Sequence, residues 1–246
     1  MTFAERFKNK EFALISTLPS DSIVGVRLDG KAFHTFTKQF ARPFDMTFMS
    51  GMDSAATYVL ERVFPSALFA YVQSDEISVV FTDQGKETAQ LPLGGRLEKI
   101  LSISASAASI GLIRALPFVK GDPLFDSRAF ILDDMSDVAD YVDWRRLDAR
   151  KNAISMAAET LKSHKELLGV STRERAEMLK GTPLEVLPEM FMNGRIIVKE
   201  NYEADVSFVD RRTGETKNIT ATRSRWVTHA AERDFVDNFF NSFKNE

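Results

Sequence analysis

The residues of this chain best suited to chemistry sit at two places well apart in sequence. One is Gln73-Ser74-Asp75-Glu76, the polar centre of YVQSDEISVVF over residues 71–81. The other is Asp29, near the end of IVGVRLDG over residues 23–30. Both stretches are rich in β-branched and other apolar residues, a strand composition, and the first has turn residues at its middle. A Ser-Asp-Glu turn alone is ordinary turn chemistry; a second acidic strand end upstream is what raises the functional reading. Carboxylates gathered at one place repel one another unless a cation neutralises them. Their oxygens are hard donors. In a chain with no Cys and three His, they suit Mg²⁺ better than zinc.

The elements that must position these residues can be read in order. Apolar spacing predicts a helix over residues 3–18, stopped by Pro19-Ser20-Asp21-Ser22, and then a first strand over 23–28. Residues 29–42 are irregular, with a turn suggested by Gly30. After Pro43 a helical pattern runs through Met46, Met49, Ala55, Val59, Leu60 and Val63 to Pro65-Ser66. Hairpin strands follow over 68–72 and 77–81, then a helix over 97–116 ended by Pro117, and a strand over 125–132. Strand, helix, strand, strand, helix, strand is the order of the α+β ferredoxin-like (βαββαβ) fold. In that order strands one and three are antiparallel neighbours, so Asp29 is expected beside Asp75 and Glu76.

Downstream, residues 135–164 are helical, and Ser171 or Thr172 caps a helix that ends at Gly181-Thr182-Pro183. Residues 195–199 form a strand, 204–209 and 217–222 are expected edge strands around Thr213-Gly214, and 233–244 are helical. No repeat or linker interrupts the chain. The expectation is one domain over 1–246, with a ferredoxin-like core at about 22–133 and helical and strand elaboration over 134–246.

Hydrophobic residues make up 44% of the chain and 20 residues are Phe, enough for a large core. No apolar run reaches eighteen residues, so no membrane span is expected. The opening MTFAERFKNKEF is charged from the start, without a signal-peptide core, which points to a cytoplasmic protein. The absence of Cys excludes disulfides and thiolate metal centres. A net charge of -3 excludes a general basic coat, though nucleic-acid binding needs only a local basic surface. Basic residues cluster at Arg145, Arg146, Arg150 and Lys151; at Arg173, Arg175 and Lys180; and at Arg211, Arg212, Arg223 and Arg225. Each cluster by itself reads as a solvated face.

Residues 27–36, RLDGKAFHTF, together with Gln73-Ser74-Asp75-Glu76 resemble the tRNA-His guanylyltransferase family, including its 3′-to-5′ polymerase-like members. Arg42-Pro43-Phe44-Asp45, Arg96 and Lys99 fall where that family has similar residues. Phe125-Asp126-Ser127-Arg128 resembles its Phe-Asp-Gly-Arg, and Tyr141-Val142-Asp143-Trp144-Arg145 its Tyr-x-x-Trp-Arg. The pieces occur in the right order over residues 1 to about 200. After Trp-Arg, the family's eukaryotic His-Ile-Asn-Asn-Leu-Tyr-Asn gives way to residues 150–156, RKNAISM, which keep Asn152 and lose the His. Strict tRNA-His specificity is therefore left open, while nucleotidyl transfer is not.

The resemblance implies that the ferredoxin-like core is a polymerase-type palm with additional helices, in a homotetrameric enzyme that adds GTP or another NTP to the 5′ end of tRNA, with ATP and GTP as substrates. It also implies two Mg²⁺ roughly 3.5–4 Å apart, held by Asp29, Asp75 and the Gly30 carbonyl. Lys31, Ala32, Phe33, His34 and Ser74 would surround the triphosphate, with Arg42, Asp45 and Asn152 in the same nucleotide site. Arg96, Lys99 and Arg128 would contact phosphates. Glu76 stays open between a third acidic catalytic ligand and a solvated turn residue, and Phe33 and Phe36 read as core. A nucleotide cyclase shares the palm and its acidic pair, but the long helical region and its basic clusters suit RNA better. An RNA-binding ferredoxin-like module would read bases with paired aromatics on open strands, where this chain has carboxylates.

Overall fold

The computed structural model describes residues 5, 6, 16–85 and 90–242. Its palm consists of β1 (Ile23–Gly30), a single helical turn α1 (Phe33–Phe36), α2 (Met46–Arg62), β2 (Phe69–Gln73), β3 (Glu76–Thr82), α3 (Leu97–Ala115) and β4 (Phe125–Leu132). Then follow α4 (Met135–Leu161), α5 (Thr172–Leu179), α6 (Glu189–Met192), β5 (Arg195–Val209), β6 (Thr216–Ala230) and α7 (Arg233–Ser242). One antiparallel sheet runs in the order β4-β1-β3-β2-β5-β6. The four palm strands thus have the expected ferredoxin-like order, and β5 and β6 extend it at the β2 edge.

Alternation along the strands decides which helices cover which face. Val24, Val26, Leu28, Ile77, Val79 and Phe81 point to one face and pack with α2 and α3. Ile23, Phe69, Tyr71, Val80, Ile196 and Val198 point to the other, beneath Val138 and Val142 of α4 and Val236 and Phe240 of α7. Small residues let α2 and α3 approach closely: a Cβ on Gly111 would come within 2.9 Å of the Ala55 backbone. Helix starts follow their polar caps. Asp134 accepts from Ser136 and Asp137 at α4, and Ser171 with Glu174 forms a capping box at α5.

Two sequence expectations need correction. Thr17, expected inside the first helix, forms a bridge to Arg96 instead; most of the residues 3–18 lie outside the described region. The strands expected at 195–199 and 204–209 are one 15-residue strand, paired along its length with an equally long β6. The residues between the two expected strands, Glu200-Asn201-Tyr202-Glu203, carry no apolar alternation, so nothing in the sequence joins them. Gly30 is the last residue of β1, and the turn it suggested follows at once over Lys31 and Ala32.

Candidate active site

Two backbone features bring the acidic residues together. Antiparallel pairing places Asp29 opposite Glu76, and a two-residue turn, Ser74-Asp75, joins β2 to β3. The Gly30 amide donates to the Asp75 carbonyl at 3.1 Å. A Cβ on Gly30 would sit 2.4 Å from the Phe33 ring and 2.8 Å from Asp75 Oδ2, so close approach demands glycine here. Ser74 and Ala32 both adopt left-handed backbone, at φ 46° and 56°. Strain of this kind in non-glycine residues persists where surrounding structure enforces it. Here it flanks the acidic turn.

The three carboxylates then divide. Burial holds the Asp75 carboxyl above the usual range, and the charge of Asp29 adds to the rise. Ser74 Oγ donates to Asp75 Oδ1 at 3.0 Å, but among the described residues neither Asp29 nor Asp75 forms a salt bridge. Glu76 is different: Arg145 Nε and Nη2 donate to its two oxygens at 2.8 and 2.6 Å, and Arg27 lies 3.9 Å away. Glu76 is buried and paired. It is not the solvated turn residue, and its oxygens are committed to Arg145 rather than free as a third ligand. No group of three or more metal-ligating side chains occurs among the described residues. Two unneutralised carboxylates beside the Gly30 backbone make an all-oxygen donor set that fits a hard divalent cation.

Two cavities meet at the turn, and Ser74 and Asp75 line both. The first, of about 340 Å³, is walled by Phe33, Phe40, Phe44, Phe48 and Phe191, with His34, Arg42 and Asp45 among its polar residues. Its rings pack in pairs, Phe40 on Phe48 at 5.0 Å and Phe44 on Phe191 at 5.1 Å. The second, of about 370 Å³, is lined by Asp29, Glu76, Arg27 and Gln73 from the sheet, and by Trp144, Arg145, Asp148 and Asn152 from α4. Helix α4 passes both cavities, giving Met156 and Glu159 to the first.

The remaining predicted residues fall as follows. Phe33 is buried in the core and also lines the first cavity; His34 is exposed at its wall. Arg42 is exposed and lies 3.7 Å from Glu159. Asp45 caps α2, accepting from Thr47 and Phe48, and the Ala41 amide holds its carboxyl below the usual range. Lys31 and Ala32 are exposed next to β1, and Asn152 bonds Asp148 at 3.4 Å. Arg96 pairs with Glu98, Arg128 pairs with Asp126, and Lys99 is exposed; none of these three lines either cavity. Arg128 still lies in register with Arg27 and within electrostatic reach of Asp29.

The first basic cluster is corrected. Arg145 and Arg146 are buried, Arg146 donating to the Ala231 carbonyl and pairing with Asp143. Arg150, at the position of the lost His, lines a separate cavity with Arg146 and Arg233. The sequence motifs contain Gln73, Trp144 and Arg145 but give them no role in the site, and Asp148 belongs to none of them. Spacing of three and four along α4, from Tyr141 through Trp144 and Arg145 to Asp148, was the available signal.

Comparison with known proteins gives one answer throughout. The family model described as tRNAHis guanylyltransferase matches residues 4–133. A relative from Drosophila melanogaster, named probable tRNA(His) guanylyltransferase, is 31% identical over 75% of this chain and 69% of its own length. A bacterial tRNA(His) guanylyltransferase-like protein solved with ATP superposes with a TM-score of 0.78 at 32% identity, covering 97% of this chain and 99% of its own. A bacterial tRNA(His) guanylyltransferase-like protein solved with GTP gives 0.76 at 30% identity, covering 96% and 98%. With more than half of the sequence matched by the model and nearly all of the fold shared, the chain belongs to the tRNAHis guanylyltransferase family.

Proposed function

We propose that this chain is a Mg²⁺-dependent nucleotidyltransferase that adds a nucleotide to the 5′ end of tRNA. One observation carries the chemistry: Asp29 and Asp75 are held together with no salt bridge to either among the described residues, at the junction of an aromatic cavity and a polar one. The names of the relatives and the ATP and GTP complexes of the similar structures support the substrate classes.

The five phenyl rings of the first cavity offer a base-sized apolar slot, within the size range of nucleotide sites. His34 and Ser74 on that wall, with Lys31 close by, then face the nucleotide's phosphates. Asp29, Asp75 and the Gly30 carbonyl would hold Mg²⁺, which, when bound, lowers the pKa of an attacking hydroxyl and neutralises a leaving phosphate. The chain's own contribution is position. Asp75 lines both cavities, so two substrates bound on either side of it meet at the same carboxylate. The 3′-hydroxyl of the incoming NTP attacks the phosphorus of the activated 5′ end, forming a phosphodiester as the activating group leaves. By resemblance to the family, the working form is a cytoplasmic homotetramer, which light scattering checks.

The test is incubation with Mg²⁺, labelled NTP and 5′-monophosphorylated tRNA, full-length or 5′-truncated. Label in the tRNA supports the proposal, with the preferred NTP on truncated substrates showing whether the opposing base directs addition. Cyclic nucleotide as the only product, or no incorporation, overturns it.

A further inference from the structure

The second cavity contains groups to which the acidic pair Asp29 and Asp75 assigns no role. Buried side-chain atoms without a hydrogen-bond partner among the described residues are Arg27 Nε, Gln73 Oε1 and Glu98 Oε2. Two of these three belong to residues of this one cavity. Gln73 is 3% exposed, and its only bond there is a long one, 3.5 Å from its amide nitrogen to Asp148. A buried polar group left unpaired is unfavourable, so an acceptor and a donor orphaned in the lining of one cavity suggest a site that a ligand completes.

Above them stands Trp144, with 54% of its surface exposed. Its indole is not loose: Arg145 lies 4.5 Å from the ring centroid, Arg27 6.0 Å, and Tyr141 packs at 5.9 Å. An exposed aromatic residue is common and by itself means little. An exposed indole fixed over a cavity with unpaired polar atoms in its floor is a ready stacking surface. The charge of the cavity selects what stacks there. Asp29, Asp75, Glu76 and Asp148 outnumber Arg27 and Arg145, and Arg145 is already committed to Glu76 and Asp148. Such a cavity rejects a bare phosphate and accepts a planar, uncharged group with both donors and acceptors.

We infer that the second cavity is a nucleoside subsite, in which a base stacks on Trp144 and its polar edge engages Gln73 Oε1 and Arg27 Nε, with Asp148 and Asn152 at the rim. The inference rests on the nucleotidyl-transfer proposal above, which requires a second substrate on the far side of Asp75 from the aromatic cavity. The same chemistry can arrive as the 5′-terminal nucleotide of an RNA or as a second free nucleotide. Asp148 is a half-buried side chain at the edge of the cavity, within a long hydrogen bond of the Gln73 amide.

The chain has two Trp, and Trp226 lies away on β6 beside Lys199, so Trp226→Phe leaves Trp144 as the sole indole emitter. Its emission is titrated, in EDTA, with a 5′-phosphorylated RNA hairpin and separately with GMP. A saturable change with either ligand is the expected result, and which ligand produces it identifies the source. Adding Gln73→Met should weaken that binding by about tenfold, in the range that one hydrogen bond to a buried group commands. Its melting temperature should not fall, because an unpaired polar atom has been removed. No emission change with either ligand, or a change unaffected by Gln73→Met, overturns the inference. No metal or turnover is involved, so nucleotide addition with a silent Trp144 would sink this subsite alone. A responsive Trp144 without addition would sink only the proposed reaction.

Discussion

Two buried acidic regions of this molecule solve the same electrostatic problem in opposite ways. On the flank of the sheet, Asp53 of α2 receives Arg195 Nε at 2.6 Å, and Arg195, 2% exposed, also reaches toward the carbonyls of Met49 and Met190. Burial raises the Asp53 carboxyl, and the Arg195 charge opposes the rise. At the end of β1, burial likewise raises Asp75, but its nearest charged neighbour is another carboxylate. Glu76, the next residue, belongs with Asp53: Arg145 neutralises it. The protein supplies an arginine to Asp53 and to Glu76, and among the described residues it places no salt-bridging cation where Asp29 and Asp75 meet. Leaving that pair unneutralised is disfavoured in the free protein. It is the arrangement expected of a site completed by a ligand.

The largest effect should come from removing the unneutralised charge. Asp29→Asn or Asp75→Asn should lower nucleotide addition by on the order of 10³-fold or more, since metal-held transition states are worth several kcal/mol. Stability should hold or rise. Near wild-type turnover in Mg²⁺ by either variant would remove the distinction between the two regions.

The neutralised region should respond in the reverse sense. Arg195→Met strands the Asp53 charge and should cost about 3–5 kcal/mol in urea unfolding. Arg195→Met combined with Asp53→Leu should recover most of that loss, because an apolar pair often replaces a buried ion pair at little cost. A double variant as unstable as the single would show that Arg195 matters through its carbonyl contacts instead.

An intermediate effect should appear in the pH dependence. The folded protein holds the Asp75 proton more tightly than the unfolded chain does, whose value is near 3.8. Asp75 therefore favours the fold below that value, and this contribution is lost as pH rises through its higher folded value. A tenfold difference in proton affinity between the two states corresponds to about 1.4 kcal/mol of stability. Relative to wild type, Asp75→Asn should become progressively more stable across that window and level off above it. Thermal melts from pH 3.5 to 7.5 check this; a constant difference would contradict the raised Asp75.

The palm and its acidic meeting point were legible in the sequence because they depend on strand composition, element order and antiparallel geometry. The positions of Asp29 and Asp75 follow from those alone. The fate of Glu76 did not, because its partner Arg145 lies 69 residues away and reads as one member of a basic run. That run misled for the same reason: Arg145 and Arg146 face inward on α4 toward acceptors that sequence cannot place. The aromatic cavity was hidden too, since a Phe lining a slot and a Phe filling a core have the same local pattern. Phe33 does both.

The smallest effect concerns RNA. With Arg145 and Arg146 buried, exposed basic residues on the β5–β6 hairpin, such as Arg223 and Arg225, are left to meet phosphates. Each contact contributes a slope of roughly -0.7 to -0.9 in log K against log salt. Arg223→Glu with Arg225→Glu should flatten the salt dependence of tRNA binding, measured by filter retention. An unchanged slope would place the RNA surface elsewhere.

The most direct measurement is thermal melting of wild type, Asp75→Asn and Arg195→Met with and without millimolar MgCl₂. If Asp29 and Asp75 are a pair awaiting a cation, Mg²⁺ should raise the wild-type melting temperature. Asp75→Asn should melt at or above wild type in EDTA and gain little from Mg²⁺, whereas Arg195→Met should start low and still gain. If Asp75→Asn melted below wild type and responded fully to Mg²⁺, the acidic pair at the sheet end would not be the cation site.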